Sequence, residues 1–564
     1  MALEIAPLAL PVAEEGAAEK AMERTADLFG QLALDDHAAG QWDASILDVE
    51  LTESQRTVLL ESAAGANETD PPLIGVNVAS GRTVTLAPED LAALGDEPTP
   101  MAGGVARRLA PGGGYAWTLA VRSSEAFGLR FHFADCHLPP GAKLFVYGFG
   151  DGTGEVYGPY EGDGPLGTGE FWTHSLIGGE GFIELQIAVA GADPASASAP
   201  APATQAIRFI IQEVAVMGPL FFPGLQAVAR SMALPQPESE RNTGCLIDAG
   251  CAGGKWANLD MAGRGMAQID YPDAGGHYRC SGGLIADSTY SGTPYFLTAN
   301  HCIDNEYSAA FAEFTWEYRA HSCGGYTESR GYTEGARYLV SSTYSDYCLM
   351  KLYDKPPSGV TLLGWSSKSP RSGTVLYRLS HPHGMPMNYS TQKVIGGRYK
   401  CFSSSRFISS MRREGSTMGG SSGSPILNAN AMVVGQLYGK CGKSKSDLEN
   451  ICGGKWDILD GRFSATFKKI RGYLAPETCK YSRSISKRIF AAKGGTGKIV
   501  VGASGACPWT VSSDAEWIQF TAATSGRDRG VVTFLVGANS GVARSAMVNI
   551  AGKAVLFKQK GAIK

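Results

Sequence analysis

Twelve cysteines run through this chain of 564 residues, and none forms a C-x-x-C pair. That spacing argues against zinc ribbons and thioredoxin-like redox sites. An even count spread over strand-like sequence reads as a disulfide framework, and disulfides persist in an oxidising compartment. A cytoplasmic protein with free thiols is the plain alternative. With 72 glycines and only 18% charged residues, the composition fits all-β domains joined by tight turns. Lys+Arg 50 against Asp+Glu 54 leaves a formal net charge of −4, and no basic run points to a nucleic-acid partner. No stretch approaches the ~20 apolar residues that cross a membrane. The opening MALEIAPLALPVAEEGAAEK lacks a basic start and a sustained apolar run, so it is not a signal peptide. The expectation is a secreted protein whose signal has been removed and a start Met added.

Length predicts three or four domains. Residues 1–112 read as a leader or pro-region, with Ala/Glu-rich helical sequence near 13–34. Residues 113–233 read as an N-terminal β-domain, with alternating runs at 129–133, 143–147 and 182–189 and a closing strand at 207–216. A Pro-rich stretch at 234–241 marks a boundary. Residues 242–475 form a cysteine-rich β region. Residues 479–564 alternate short strands with Gly/Ser/Asn turns, as a small β-sandwich does.

Three motifs carry the chemistry. Gly420-Ser421-Ser422-Gly423-Ser424-Pro425 is a tight, Gly-flanked turn suited to a nucleophilic serine. Its glycines let the amides of Gly420 and Ser422 point at a developing oxyanion. Alone it could be a flexible linker. Thr298-Ala299-Asn300-His301-Cys302 places a histidine just after an apolar strand, and a lone histidine is usually structural. Asp346 opens the apolar run Tyr347-Cys348-Leu349-Met350, where a lone aspartate is more often a turn residue. Together, in the order His301, Asp346, Ser422, they follow the order of chymotrypsin-like proteases, not of subtilisin or the α/β-hydrolases. That resemblance predicts an all-β, chymotrypsin-like double β-barrel, flanked by an N-terminal jelly-roll-like β-domain and a C-terminal β-sandwich. The reaction needs no metal or organic cofactor, and its partners are protein and peptide substrates.

Residues 242–475 resemble the bacterial lysyl endopeptidases, a trypsin-like branch. The matching segments are Gly244-Cys245-Leu246-Ile247-Asp248 with Cys251, Arg279-Cys280-Ser281-Gly282-Gly283-Leu284, His321-Ser322-Cys323, Ser380-His381-Pro382-His383-Gly384 and Val434-Gly435-Gln436-Leu437. The resemblance implies bridges Cys245–Cys441, Cys251–Cys323 and Cys280–Cys302, with Cys452 competing for the first. Cys348 and Cys401 either pair or are buried thiols. The family reads lysine through an aspartate just before a Y-G-R segment. Here that segment is Trp456-Asp457-Ile458-Leu459-Asp460-Gly461-Arg462, so Asp457 or Asp460 is the candidate, and either could be an ordinary turn residue. Tyr438 stands where the family has a pocket histidine. Cleavage after Lys or Arg is the resulting expectation. A glutamyl endopeptidase, or a glycan- or matrix-binding protein on a protease scaffold, are the alternatives.

Ser421 stands where mammalian trypsin-like enzymes carry an aspartate that pairs with a newly cut N-terminus, and a hydroxyl cannot form that ion pair. Residues 113–218 resemble the pro-domain of these bacterial proteases, on Trp117, Leu138-Pro139-Pro140-Gly141-Ala142 and Phe171-Trp172-Thr173. That implies an inhibitor and folding partner, against a permanent accessory domain. Residues 479–564 resemble a BACON-type sandwich, on Cys507-Pro508-Trp509-Thr510 and Trp517-Ile518. Cys479 and Cys507 are its expected bridge. Its tryptophans either fill the core or stack on glycans. Arg241 is the only cation of its linker, and no lysine lies between Lys143 and Lys255. If release is autocatalytic, it is therefore expected after Arg241, leaving Asn242 as the new N-terminus; the alternative is processing by another protease.

Overall fold

The computed structural model describes residues 3–10, 45–63, 71–95, 97–109, 114–150, 154–188, 206–221, 244–397, 405–476, 480–503, 507–513, 515–527 and 529–562. Isolated positions 27, 28, 30, 32, 399 and 401 are described as well. Arg241, Asn242, Cys479 and most of 13–34 lie outside the described residues. Two compact units result, Met1–Ile470 and Arg471–Lys564.

Strand Gly128–His137 shows how the first unit is organised. Side chains alternate along a strand. Leu129, Phe131 and Phe133 enter a sandwich core with Trp117 and Phe209. Arg130 and His132 point the other way, and Arg130 Nη2 donates to Phe311 O at 2.8 Å. This N-terminal sandwich has two sheets. One runs Glu155–Tyr160, Ala142–Gly148, Glu180–Ile187, Tyr115–Arg122, Gly104–Arg108 and Thr99–Met101. The other holds Phe171–Trp172, Gly128–His137, Ile207–Met217 and Leu73–Leu86. Strands Leu73–Leu86 and Thr99–Met101 lie before residue 113, in sequence read as leader. Gly81, with φ +57°, sits in a register break of the 14-residue strand and interrupts its alternation.

The second sheet does not stop at the sandwich. Leu73–Leu86 also pairs antiparallel with Gly276–Ile285, through Gly276↔Val76, His277↔Gly75 and Tyr278↔Leu73. Gly276–Ile285 belongs to an open half-barrel in the order Ala336–Ser342, Tyr347–Leu352, Tyr295–Thr298, Gly276–Ile285, Met266–Asp273, Glu313–Trp316, Gly331–Glu334. A closed six-stranded barrel follows: Val375–Ser380, Asn388–Ile395, Phe407–Glu414, Trp456–Arg462, Met432–Gly442, Pro425–Leu427 and back to Val375–Ser380. The architecture is the all-β, chymotrypsin-like double barrel. Residues 3–10 lie along it. Glu4–Ile5 pairs with Gly364–Ser366, and Leu8–Ala9 with Thr361–Leu362. Gly364 permits this, since a Cβ there would sit 2.2 Å from Ile5 O.

Cys251–Cys323 and Cys280–Cys302 are bridged as expected. The first pairing is corrected: Cys245 bonds Cys452, and Cys441 bonds Cys401, at Cα separations of 5.5 and 6.2 Å. Both fall within the span a disulfide can close. Cys348 is a buried thiol, pushed upward by burial. Cys136 is also a buried thiol, raised by burial to about 12.

The second unit is a sandwich. One sheet holds Tyr481–Ile485, Gly495–Ala503, Gly530–Val536 and Ile518–Phe520, and the other Ile489–Phe490, Lys553–Gln559, Arg544–Ile550, Pro508–Ser513 and Ser525–Arg527. Trp509 fills its core, where a Cβ on Gly530 would come within 1.9 Å of the indole. Trp517 is half-buried beneath the Arg544 guanidinium, 4.8 Å from the ring. Cys507 is disulfide-bonded. Among the described residues, no helix is long and apolar enough to cross a membrane.

A charged cluster joins the N-terminal sandwich to the half-barrel. His174 Nδ1 lies 2.7 Å from Glu313 and 3.1 Å from Glu334, and Ser175 Oγ donates to Glu313 at 2.7 Å. Arg130 sits 3.7 Å from the same carboxylate. Burial opposes charge on His174, but Glu313 and Glu334 outweigh it and push it up to about 10. Burial would raise Glu313, yet Arg130, His174 and Ser175 hold it well below the usual carboxylate range. A raised His contributes fully below its ordinary value of 6.5 and loses that contribution as pH rises through about 10. His174→Gln is therefore expected to cost about 3–5 kcal/mol near neutrality, as breaking a buried pair does. Its melting temperature should fall less than the wild type's between pH 7 and 10.5. Parallel thermal melts check this, and equal pH dependence in the two proteins would count against the ion-pair account.

Candidate active site

His301 follows Tyr295–Thr298, whose Phe296 and Leu297 are fully buried. Thr298 Oγ1 donates to Ser281 O at 2.9 Å, and the Cys280–Cys302 bridge ties the turn to the neighbouring strand. The imidazole is therefore held from both sides of its own turn. Asp346 grips it with two oxygens. Oδ1 accepts from the His301 amide at 3.0 Å, and Oδ2 pairs with Nδ1 at 2.8 Å. A carboxylate at Nδ1 fixes that nitrogen as donor and leaves Nε2 as the base. Nε2 is buried and unpartnered.

Asp346 reaches this position from a left-handed backbone, φ +52°, which aspartate tolerates better than most residues. Gln436 Nε2 donates to Ser345 O at 2.6 Å and Asp346 O at 3.0 Å, so the closed barrel grips the aspartate's turn. Gly461 lets that turn approach, since a Cβ there would lie 1.9 Å from Ser345 O.

The nucleophile loop is tied down by its carbonyls. Gly419 O accepts from His383 N at 2.6 Å, and Gly420 O accepts from Ser281 Oγ at 2.8 Å. Ser422 O accepts from Ser281 N at 2.9 Å. A peptide's C=O and N–H point opposite ways, so tying back Gly419 O turns the Gly420 amide outward, and tying back Ser421 O, which accepts from Ser424 N at 3.1 Å and Ser424 Oγ at 2.6 Å, turns the Ser422 amide outward. Among the described residues, neither Gly420 N nor Ser422 N donates to any acceptor. These two amides are the unspent donors an oxyanion requires. Gly420 has φ +88°, and a Cβ there would lie 2.7 Å from His381 O.

Beneath the loop, Ser421 Oγ accepts from Ser380 Oγ at 3.1 Å. Arg378 Nη1 donates to Ser424 O at 2.8 Å and Ser424 Oγ at 2.9 Å, and its other arm pairs with Asp460. A buried ion pair thus supports the loop from beneath. Asp460 is committed to it, and to Gln392, instead of facing a pocket. Its partner across the ladder is Ile408, which faces the barrel interior. Paired residues share a face. By the same alternation Asp457 faces the other way, buried opposite Cys441. Tyr438 packs edge-on to His301, with ring centroids 5.8 Å apart.

Sequence reasoning missed the jobs of Ser281, Arg378, Gln436 and His383. Ser281, Gln436 and His383 stand in segments that match the family, which marked their positions but not their jobs, and Arg378 had no such signal. Burial lowers both His381 and His383 to about 4, so both are neutral near pH 7.

Residues 240–451 match the family described as lysyl endopeptidase, C-terminal domain. A curated lysyl endopeptidase of Pseudomonas aeruginosa is 27% identical over 249 residues, covering 41% of this chain and 52% of that protein. The chain thus spans about half the length of the curated relative it matches. Among solved structures, the secreted serine protease VesC from Vibrio cholerae aligns over 55% of this chain and 70% of its own, at 12% identity and a TM-score of 0.27. The thermostable serine protease AL20 from an extremophilic microorganism aligns over 38% and 99%, at 14% identity and a TM-score of 0.28. Fold and site define a chymotrypsin-type serine-protease domain. The sequence of residues 240–451 is similar to that of the lysyl endopeptidases.

Replacing Ser422 by Ala should abolish amidase activity, by a factor on the order of 10⁴–10⁶ in turnover, with an unchanged melting temperature. Gly420→Ala should cost about 10²–10³-fold, as losing an oxyanion donor does. Steady-state kinetics beside thermal melts decide both, and near-normal hydrolysis by Ser422→Ala would reject the assignment.

Proposed function

We propose that the chain is a serine endopeptidase that cuts after Lys or Arg through an acyl-enzyme on Ser422. The observation that carries this reading is the two-oxygen grip of Asp346 on His301, beside the two unspent amides at 420 and 422. His301 Nε2 takes the proton of Ser422 Oγ as it attacks the scissile carbonyl, and Asp346 stabilises the imidazolium. The amides hold the tetrahedral anion. His301 then gives its proton to the leaving amine, and water, activated by the same base, releases the acyl group.

Asp457 is the carboxylate proposed to read the cation, because Asp460 is tied to Arg378. The alternative of a glutamyl-type enzyme draws on Lys440, a buried cation two residues beyond Tyr438. Secretion and an inhibitory N-terminal pro-region complete the reading. In the C-terminal sandwich Trp509 is a packing residue, so a glycan would have to be met through Trp517.

A fluorogenic panel varying only the residue before the scissile bond separates these readings. Asp457→Asn should lower kcat/KM after Lys and Arg by roughly 10²-fold and spare esters with small apolar side chains. Asp460→Asn should lower all substrates alike, through Arg378 and Ser424. Full cation preference in Asp457→Asn would reject the pocket assignment, and a preference for Glu would favour the alternative.

A further inference from the structure

We propose that the N-terminal sandwich closes only the leaving-group side of the cleft: strand Leu73–Leu86 occupies the edge of Gly276–Ile285 along which the residues after the scissile bond would run. This rests on the serine-endopeptidase reading. His301 must protonate the departing amine, so the departing segment leaves past His301. Cys302, the next residue, is bridged to Cys280, and Arg279 precedes Cys280 on the strand. The peptide beyond the scissile bond therefore lies against residues 276–279, and an extended peptide binds such an edge by adding a strand to it.

That edge is already taken. Pro72 O accepts from Arg279 N at 3.1 Å, and Leu73 lies opposite Tyr278. Pro72 reaches the oxyanion loop itself: a Cβ on Gly419 would meet its ring at 3.6 Å. The Arg279 guanidinium locks the arrangement. It pairs with Asp270 at 2.6 and 2.5 Å, and donates to Leu220 O at 2.7 Å and Phe221 O at 3.0 Å. One side chain of the half-barrel thus holds two carbonyls of the sandwich, beside the third at Pro72.

The Asp346–His301 pair and the ties on the oxyanion loop are formed beneath this cover. The carbonyl ties at 419 and 420, the grip of Asp346 and the Arg378 support are all present with the strand in place. The covered chain should therefore accept an acyl donor with a small leaving group and reject an extended peptide.

The experiment uses the full-length chain, verified as uncut by intact mass. Thiobenzyl esters of Lys and Arg are compared with quenched peptides that carry the same residue and four more after the scissile bond. A fluorophosphonate probe reports Ser422 reactivity without any side-chain preference. Two interface variants lie outside the catalytic machinery: Leu73→Glu, whose side chain seats over Gly276, and His174→Gln in the separate charged cluster. Retained probe labelling certifies that each is folded. The expected result is labelling and ester turnover in the wild type with poor peptide turnover. In the variants, the peptide-to-ester ratio of kcat/KM should rise at least about tenfold, with labelling within about twofold of wild type. Labelling with equally good turnover of peptide and ester in the wild type would overturn the occlusion alone. So would variants that raise ester and peptide together. An unlabelled wild type beside labelled variants would overturn the claim that only the leaving-group side is closed, and absence of labelling in all three proteins would remove the serine-endopeptidase reading.

Discussion

The nucleophile loop depends on Ser281. Its amide holds Ser422 O, its hydroxyl holds Gly420 O, and that same hydroxyl accepts from the His381 amide at 3.0 Å. Through these three bonds one strand residue of the half-barrel fixes the loop that the closed barrel carries. Beside them, His383 N holds Gly419 O and Ser424 holds Ser421 O, the two carbonyls whose peptides carry the Gly420 and Ser422 amides. Such donors are oriented before any substrate arrives, which is what makes them effective at a developing charge.

The residues of the proposed triad come from both barrels. His301 and Asp346 come from the half-barrel, Ser422 from the closed one, and Gln436 of the closed barrel reaches back to hold the Asp346 turn. Arg378 and Asp460 add support from inside the closed barrel. The pair is fully buried, so it needs its hydrogen bonds to offset desolvation, and the Ser424 oxygens provide them. Arg378 thus supports the loop from within the closed barrel, and Ser421 offers no carboxylate to a newly cut N-terminus.

What the sequence made legible was local. His301, Asp346 and Ser422 stand in short motifs in the chymotrypsin order; the structure brings His301 and Asp346 into direct contact, while no hydrogen bond joins Ser422 Oγ to His301 Nε2. What it concealed was relational. Cys245 has two candidate partners, Cys441 and Cys452, until the fold brings Cys401 to Cys441 and Cys452 to Cys245. Asp457 and Asp460 look equivalent in sequence, but the alternation of Trp456–Arg462 sends one outward and the other to Arg378. Strand Leu73–Leu86 hid because Ser80-Gly81 breaks its pattern, and its second partner lies some 200 residues away, beyond any periodicity. His174 gave no sign of its role, since its carboxylate partners are supplied by strands of the half-barrel.

The central claim is that Ser422 carries the acyl group. It is tested most directly by acid-quenching the enzyme during turnover of an ester and locating the added mass by peptide mass spectrometry. An acyl intermediate that accumulates before hydrolysis is the signature of nucleophilic catalysis. The account predicts one acyl group per chain, on the peptide containing Ser422 and absent from Ser422→Ala. Acylation of another residue, or sustained turnover by Ser422→Ala, would contradict it.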